Sequence, residues 1–257
     1  MNFSEIEKKI EANKVLDFGT IFNKSIELFK KSWMHGLSLQ LVAFVIIIPF
    51  ILIFYIPFVM AIVANSENGQ MNPDDMSVLL GGFSILYMGV FIIGILLLSV
   101  VTVAMRAAFF KDLASIDRGE TVSFKSLFYF FKTPYLTNIS LLMLASMAIS
   151  IVAMLLCYLP LFYVMVPMSF FIVIFAFNPE LTVSEIIKLS FKLGHKKWLI
   201  TFGLVMVSSL LASMVGMLLC GIGIIVTAAF ADHPLYFIYK EVIGEDTADS
   251  VEKIGIE

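Results

Sequence analysis

Basic residues are missing from three long stretches of this 257-residue sequence. No Lys or Arg occurs from Ser32 to Met105, from Thr133 to Ile187, or from Trp198 to Tyr239. One helical membrane crossing needs about 20 residues, because an α-helix rises about 1.5 Å per residue and the hydrocarbon core is about 30 Å thick. Each stretch is therefore long enough for two crossings and predicts one helical hairpin.

Several other residue types are also scarce, and their scarcity argues against whole classes of function. Charged residues make up 14% of the chain, about half the share that is usual in soluble domains. The net charge of −3 offers no basic surface for nucleic acid. We find no HExxH, CxxC or Walker motif, no Ser-His-Asp order and no paired carboxylate cluster, so we expect no enzyme, no metal site and no cofactor.

The 60% of residues that are hydrophobic predict an all-α, polytopic membrane protein with six transmembrane helices in three hairpins. Each hairpin is preceded by a predicted cytoplasmic, interfacial, amphipathic helix. The approximate crossings are residues 37–63, 78–110, 138–158, 161–177, 199–219 and 222–240. This domain occupies residues 17–243, between a cytoplasmic segment of residues 1–16 and an acidic cytoplasmic tail of residues 244–257.

The charge distribution also predicts an orientation. All basic blocks return to one side of the membrane, which is the cytoplasmic side by the positive-inside rule. The predicted loop Asn65–Ser77 carries three acidic residues and no basic one, so we expect it to face outwards. The first apolar run begins only near Leu37 and is too long for a signal peptide, so we expect the N-terminus to stay cytoplasmic. The charged block of residues 232–257 returns to the same side, so we expect the C-terminus to be cytoplasmic as well.

The predicted interfacial helices repeat a short pattern. KSIELFKKSW ends at Trp33 and LSFKLGHKKW ends at Trp198, with Ser eight residues before Trp in both copies. The middle copy has Pro134 in place of Trp. Two interpretations stay open: a threefold internal repeat, or chance convergence of helices with the same interfacial needs. The pattern predicts five interfacial anchors, which are Trp33, Trp198, Lys31, Lys132 and Lys196.

The segments Phe18–Trp33 and Ser184–Trp198, with the closing Tyr239-Lys240, resemble a superfamily of bacterial six-helix membrane proteins. It includes the membrane domain attached to some glycerophosphoryl diester phosphodiesterases and inner-membrane proteins of the YciC type. The resemblance extends over about residues 17–243 and implies a bacterial inner-membrane location. It implies an architecture and no reaction, because that membrane unit carries no catalytic residues.

The sharpest candidate for function is Asp232, which lies in the third basic-free stretch. Residues 222–231 span only about 15 Å, so the sixth crossing has to continue through Asp232. Counting back from Lys240, the carboxylate lies about 12 Å from the interface. An unpaired carboxylate at that depth costs several kcal/mol, which makes it a functional-site hypothesis.

Three roles stay open for this carboxylate. It can be a structural anchor paired with Arg106, which lies near the end of the second crossing. It can belong, together with His233, to a pocket that handles protons or a substrate, since Pro234 is expected to bend the helix there. The third role is catalysis. The candidate intramembrane polar site is thus Asp232, His233 and Arg106.

Two further patterns concern helix packing and covalent links. Ser208, Ala212 and Gly216 form a small-xxx-small ladder that lets another backbone approach closely. Cys157 and Cys220 both lie beside predicted outer turns, and they either form a disulfide or remain free buried thiols.

The sequence as a whole predicts an accessory or scaffold protein of the inner membrane. The alternative is a small transporter or lipid-handling permease with a pocket near Asp232 and His233. The expected partners are the lipid bilayer and either another membrane protein or a second copy of the chain, and no nucleic acid.

Overall fold

The computed structural model describes residues 1–66, 85–156, 159–218 and 221–244. In these residues it contains helices and no strand. Both cysteines, most of the predicted acidic loop and the tail from Glu245 onwards lie outside the described residues. The helices are α1 (Phe3–Glu11), α2 (Phe18–Ser66), α3 (Ile85–Asp117), α4 (Thr133–Leu155), α5 (Leu159–Phe177), α6 (Val183–Lys196), α7 (Trp198–Leu218), α8 (Ile222–Thr227) and α9 (Asp232–Val242).

Among the described residues, five helical segments are long and apolar enough to cross a membrane. They are Phe18–Ile56, Met88–Asp117, Thr133–Leu155, Leu159–Phe177 and Trp198–Leu218. Large apolar side chains on them remain uncovered: Ile53 is 66% exposed and Leu155 is 78% exposed. Exposure of this kind is unfavourable in water and favourable in lipid. The predictions of an all-α fold and a multi-pass membrane protein are therefore confirmed at this level.

The chain forms two compact units. The first comprises residues 1–40 and 103–257, and the second comprises residues 41–102. In the second unit the ring of Phe54 lies 4.6 Å from that of Phe50 and 5.2 Å from that of Phe91, measured between centroids. Gly94 lies against Phe50 so closely that a Cβ there would clash with the ring. Aromatic packing over a glycine thus holds this part of α2 and α3 together.

The three predicted interfacial segments take three different forms. The first continues into the following crossing without a break, because α2 runs from Phe18 to Ser66. The second is a 3-10 helix at Phe124–Phe128 instead of an α-helix. The chain is extended at Lys132, the N-cap of α4, which carries a proline in its first turn. The third is the separate helix α6, which begins with the predicted capping box of Thr182 and Glu185.

The predicted sixth crossing is a helix interrupted in the middle. It consists of α8, a 3-10 segment at Ala228–Ala231, and α9. The sequence predicts a helix that continues through Asp232 and bends at Pro234, and the structure has a 3-10 turn directly before Asp232. Pro234 has no N–H to donate to the carbonyl of Phe230, and a proline is tolerated in the first turn of a helix. The interruption therefore precedes Pro234, where the sequence predicts a bend.

Helices α7 and α8 pack through the predicted ladder of small residues. A Cβ on Gly216 would lie only 2.8 Å from the backbone nitrogen of Ile224. The hydroxyl of Thr227 donates to the carbonyl oxygen of Ala212 at 2.8 Å. Gly221 makes the turn between the two helices with a φ of 82°, which favours glycine. The predicted close approach of two backbones is thus present within the chain.

Candidate functional site

The structure brings two of the three predicted site residues into direct contact. The Nε of Arg106 on α3 donates to both carboxylate oxygens of Asp232, at 3.0 and 3.1 Å, and its Nη2 also contacts Oδ1. The side chain of Asp232 is 6% exposed and that of Arg106 is 44% exposed. Asp232 lies in the first turn of α9, where the helix dipole favours a negative charge. A charge-assisted ion pair therefore joins the interrupted helix to α3.

The third predicted residue, His233, is fully buried beside this pair and has two hydrogen bonds. Its Nδ1 lies 3.0 Å from the carbonyl oxygen of Ala229, which only accepts, so the proton is on Nδ1. Its Nε2 lies 2.7 Å from the Oγ of Ser32 and accepts from that hydroxyl in a neutral ring. Its ring also packs edge-on against those of Phe29 and Phe109. His233 therefore links α9 to α2 and has no exposed face.

One glycine makes this link possible. Gly36 lies one turn after Ser32 on α2, and a Cβ there would come within 2.9 Å of the Cβ of Ala229. The absence of a side chain lets α2 approach the 3-10 segment whose carbonyl accepts the His233 proton. The hydrogen bond from Ser32 depends on this close approach.

A second histidine forms a polar cluster that the sequence did not indicate. The Nε2 of His35 lies 2.7 Å from the Oδ2 of Asp112, which also accepts from the hydroxyl of Ser126 at 2.8 Å. The ring of His35 stacks on Phe109 with an interplanar angle of 14°. Ser32 and His35 are three residues apart, so they lie on one face of α2. The spacing places both side chains on the same side of α2, but nothing in the sequence pairs either of them with its distant partner.

Further charged pairs join the end of α3, the start of α2 and the end of α9. Asp117 accepts from Lys240 at 2.6 Å and from the hydroxyl of Tyr236 at 3.0 Å. Glu241 accepts from Lys14 at 2.5 Å and from Lys24 at 2.7 Å. The hydrogen bonds from these two lysines lower the pKa of Glu241 to about 2. We call this region, which contains Lys14, Lys24 and Lys240 with their carboxylate partners Asp117 and Glu241, the basic end of the first unit.

Helix α1 is fastened to the same end by lysines of α6. Lys192 donates to Glu7 at 2.8 Å and to Glu11 at 2.5 Å. Lys196 donates to the carbonyl oxygens of Ile10 and Glu11 at 3.3 and 3.1 Å, which satisfies groups that a helix end leaves open. The side chain of Ile10 is fully buried beneath. The predicted anchor Lys196 thus holds α1.

Of the other predicted anchors, Trp198 and Lys132 lie at helix starts, whereas Trp33 and Lys31 lie within α2. Trp33 is 39% exposed, and the indole N–H of Trp198 donates to the carbonyl oxygen of Tyr163 at 3.0 Å. Lys31 and Lys132 are both exposed. These positions suit an interface, although α2 continues past Trp33 and Lys31 as one helix.

Three cavities stand out in the described part of the chain. The first, of about 640 Å³, lies between α2 and α3 of the second unit and is mainly apolar. The second, of about 320 Å³, lies between α5 and α7, and its lining residues include Ser169, Thr201, Ser209 and Ser213. The third, of about 300 Å³, is lined by charged residues of the basic end. Asp232, His233 and Arg106 line none of these three cavities.

The arrangement offers an ion pair and satisfied imidazoles, and it offers no group of metal ligands. In residues 1–66, 85–156, 159–218 and 221–244, no three His, Cys, Asp or Glu side chains lie where they could hold a metal ion. Comparison with protein-family models, with curated proteins and with solved structures gave no match.

Proposed function

We propose that this chain is an accessory or scaffold protein of the bacterial inner membrane and carries out no catalysis of its own. The observation that supports this most is the covered carboxylate of Asp232. It pairs with Arg106, is 6% exposed, and lines none of the three cavities. A carboxylate that serves a substrate or a proton path has to be reachable from one face of the membrane.

The proposal includes six crossings with both termini in the cytoplasm. Residues 222–240 supply the sixth, since about 20 residues span about 30 Å even with one turn of 3-10 helix. The grouping of lysines at the basic end supports a cytoplasmic position for that end. We also propose the relationship to the six-helix superfamily and the threefold repeat, for which the full burial of both Ser25 and Ser190 gives some support.

A scaffold has a stoichiometric partner, which can be isolated. The full chain, tagged and extracted from native membranes in a mild detergent, should retain a second membrane protein or a second copy in a fixed ratio. Quantitative mass spectrometry and light scattering of the purified particle measure that ratio. A particle that contains one copy of the chain, lipid and detergent only would contradict the proposal.

One observation favours the alternative, a small transporter or lipid-handling permease. The helix that carries Asp232 is interrupted directly before it, and interrupted helices form the substrate sites of many transporters. The two functions differ in what Asp232→Asn should do. In a scaffold it lowers thermal stability in detergent and partner retention together, whereas in a permease it abolishes uptake in a folded protein of normal stability.

A further inference from the structure

The lining of the charged cavity at the basic end contains charged side chains of two kinds: some form ion pairs with each other, and others form none with any residue that the structure describes. Its lining is Lys24, Glu27, Leu28, Lys31, Asp117, Phe237, Lys240 and Glu241. Two lysine–carboxylate pairs, Lys24 with Glu241 and Lys240 with Asp117, are internal to this lining. In the part of the chain that the structure describes, no hydrogen bond or ion pair involves the ammonium of Lys31 or the carboxylate of Glu27. One positive and one negative charge therefore remain available in the cavity.

The spacing of these two charges is informative. Glu27 and Lys31 are four residues apart on α2, so their Cβ atoms lie about 5–6 Å from each other along one helix face. That order of Glu and Lys favours a direct ion pair, yet no ion pair joins these two side chains in the described part of the chain, and both residues line the cavity. A ligand that bridges them needs a cation and an anion separated by a short linker.

The remaining walls define the ligand further. Leu28 and Phe237, which are 2% and 4% exposed, form an apolar part of the cavity beside the ions. The paired Asp117 and Glu241 keep the net charge of the six ionic side chains at zero, because three lysines face three carboxylates. A ligand with a large net charge would meet as much repulsion as attraction here, whereas a zwitterion meets complementary charges at both ends.

We propose that this cavity binds a phosphoethanolamine group, carried by a membrane lipid or free in solution. Lys31 binds the phosphate, and Glu27 accepts hydrogen bonds from the primary ammonium, which lies two carbon atoms away from the phosphate oxygen. The volume of about 300 Å³ is at the lower limit of ordinary ligand pockets and suits a headgroup better than a whole lipid. Trp33, one turn after Leu28 and Phe29 and 39% exposed, places this helix at interfacial depth.

Native mass spectrometry of the full chain in detergent tests the site. Phosphatidylethanolamine, phosphatidylcholine and phosphatidylglycerol with identical acyl chains are added separately, and retention of each lipid is measured. We expect phosphatidylethanolamine to be retained best, because choline has no N–H for Glu27 and glycerol has no cation. Lys31→Gln and Glu27→Gln should each weaken its binding about tenfold, since each removes a charge-assisted hydrogen bond.

Lys30→Gln is the matched control, since Lys30 is an exposed neighbour on the same helix and lines none of the cavity. It should leave lipid retention unchanged, and all three variants should unfold at the wild-type temperature. Equal retention of the three lipids, preference for phosphatidylglycerol, or an equal effect of Lys30→Gln would overturn the proposal. Displacement of the lipid by soluble phosphoethanolamine assigns the site to the headgroup alone, and its failure to displace assigns the site to the intact lipid. None of these results bears on whether the chain has a protein partner.

Discussion

The side chains of Arg106 and Asp232 differ in solvent exposure, and this difference determines how much the loss of each one should destabilise the protein. The guanidinium is 44% exposed and stands on a long side chain that can reach the interface, whereas the carboxylate is 6% exposed on a short one. Without Arg106, the carboxylate of Asp232 would be a buried charge that can reach neither water nor another cation. We therefore regard Arg106 as the residue that makes a buried Asp232 tolerable.

A double-mutant cycle follows from this difference in exposure. Arg106→Gln should lower the free energy of unfolding by about 2–4 kcal/mol, because it strands a covered carboxylate. Asp232→Asn should cost less, about 1–2 kcal/mol, since the arginine can turn outwards. The double variant Arg106→Gln/Asp232→Asn should recover part of the loss. Chemical unfolding in detergent micelles measures all four proteins, and strictly additive effects would speak against a coupled pair.

The buried imidazole of His233 gives a second prediction. Ser32→Ala removes the donor to Nε2 and leaves a buried acceptor unsatisfied, so stability should fall by about 1–3 kcal/mol. Ser38→Ala on the same helix is the control, because the hydroxyl of Ser38 is bonded to the carbonyl of Met34 at an exposed site. Thermal unfolding in detergent compares the two variants. Equal melting temperatures would mean that the Ser32 hydrogen bond contributes nothing.

Sequence reasoning identified these residues to different degrees. Asp232 and Arg106 follow from chain length and membrane depth, because an ionised group in an apolar segment needs a partner. Ser32 follows from neither, since a hydroxyl among many others has no distinguishing charge or spacing. Its partner His233 lies 201 positions away in the chain, and only the packing of α2 against the 3-10 segment brings the two together.

Two ion pairs join the end of α9 to α2 and to the segment before α2. In both of them the carboxylate is that of Glu241, which pairs with Lys14 and with Lys24. Because its folded pKa of about 2 lies below the ordinary value of 4.5, the stabilising contribution is complete above the ordinary value. It is lost as the pH falls from about 4.5 to about 2.

This gives a pH prediction at the level of helix docking. As the pH falls from 5 to about 2.5, amide hydrogen exchange at the start of α2 and at the end of α9 should accelerate more in the wild type than in Glu241→Gln, since the variant has no carboxylate to protonate. Each measured rate has to be divided by the intrinsic exchange rate at the same pH before different pH values are compared. Indistinguishable pH profiles for the two proteins would count against Glu241 as the docking group.

Helix boundaries were predictable where local chemistry defines them. Thr182 and Glu185 form a capping box that marks the start of α6 in sequence and in structure. The continuous α2 was not predictable from composition, because a polar stretch and an apolar stretch of the same helix look like two elements. The 3-10 segment before α9 was anticipated only as a bend, since Pro234 shows where a hydrogen bond is lost and not how the preceding turn rearranges.

For the whole molecule, the proposed topology makes a labelling prediction. Cys157 and Cys220 both lie beside predicted outer turns, so an impermeant maleimide should label them in intact cells, after reduction if they form a disulfide. In a variant with both cysteines replaced by serine and with Lys14→Cys, labelling should require permeabilised membranes. Labelling of the cysteine at position 14 in intact cells would reverse the proposed orientation.

The contacts of α1 also have a consequence in time. The amine of Lys9 donates to the carbonyl of Ile243 at 2.7 Å, 234 positions later in the chain. At a synthesis rate of about 5–20 residues per second, this contact therefore forms on the order of 10 seconds or more after α1 is made. The lysines of α6 can hold α1 earlier, so only the bond from Lys9 requires the end of α9, and an α1 that lacks this bond is a mark by which a protease or chaperone can recognise an incomplete molecule.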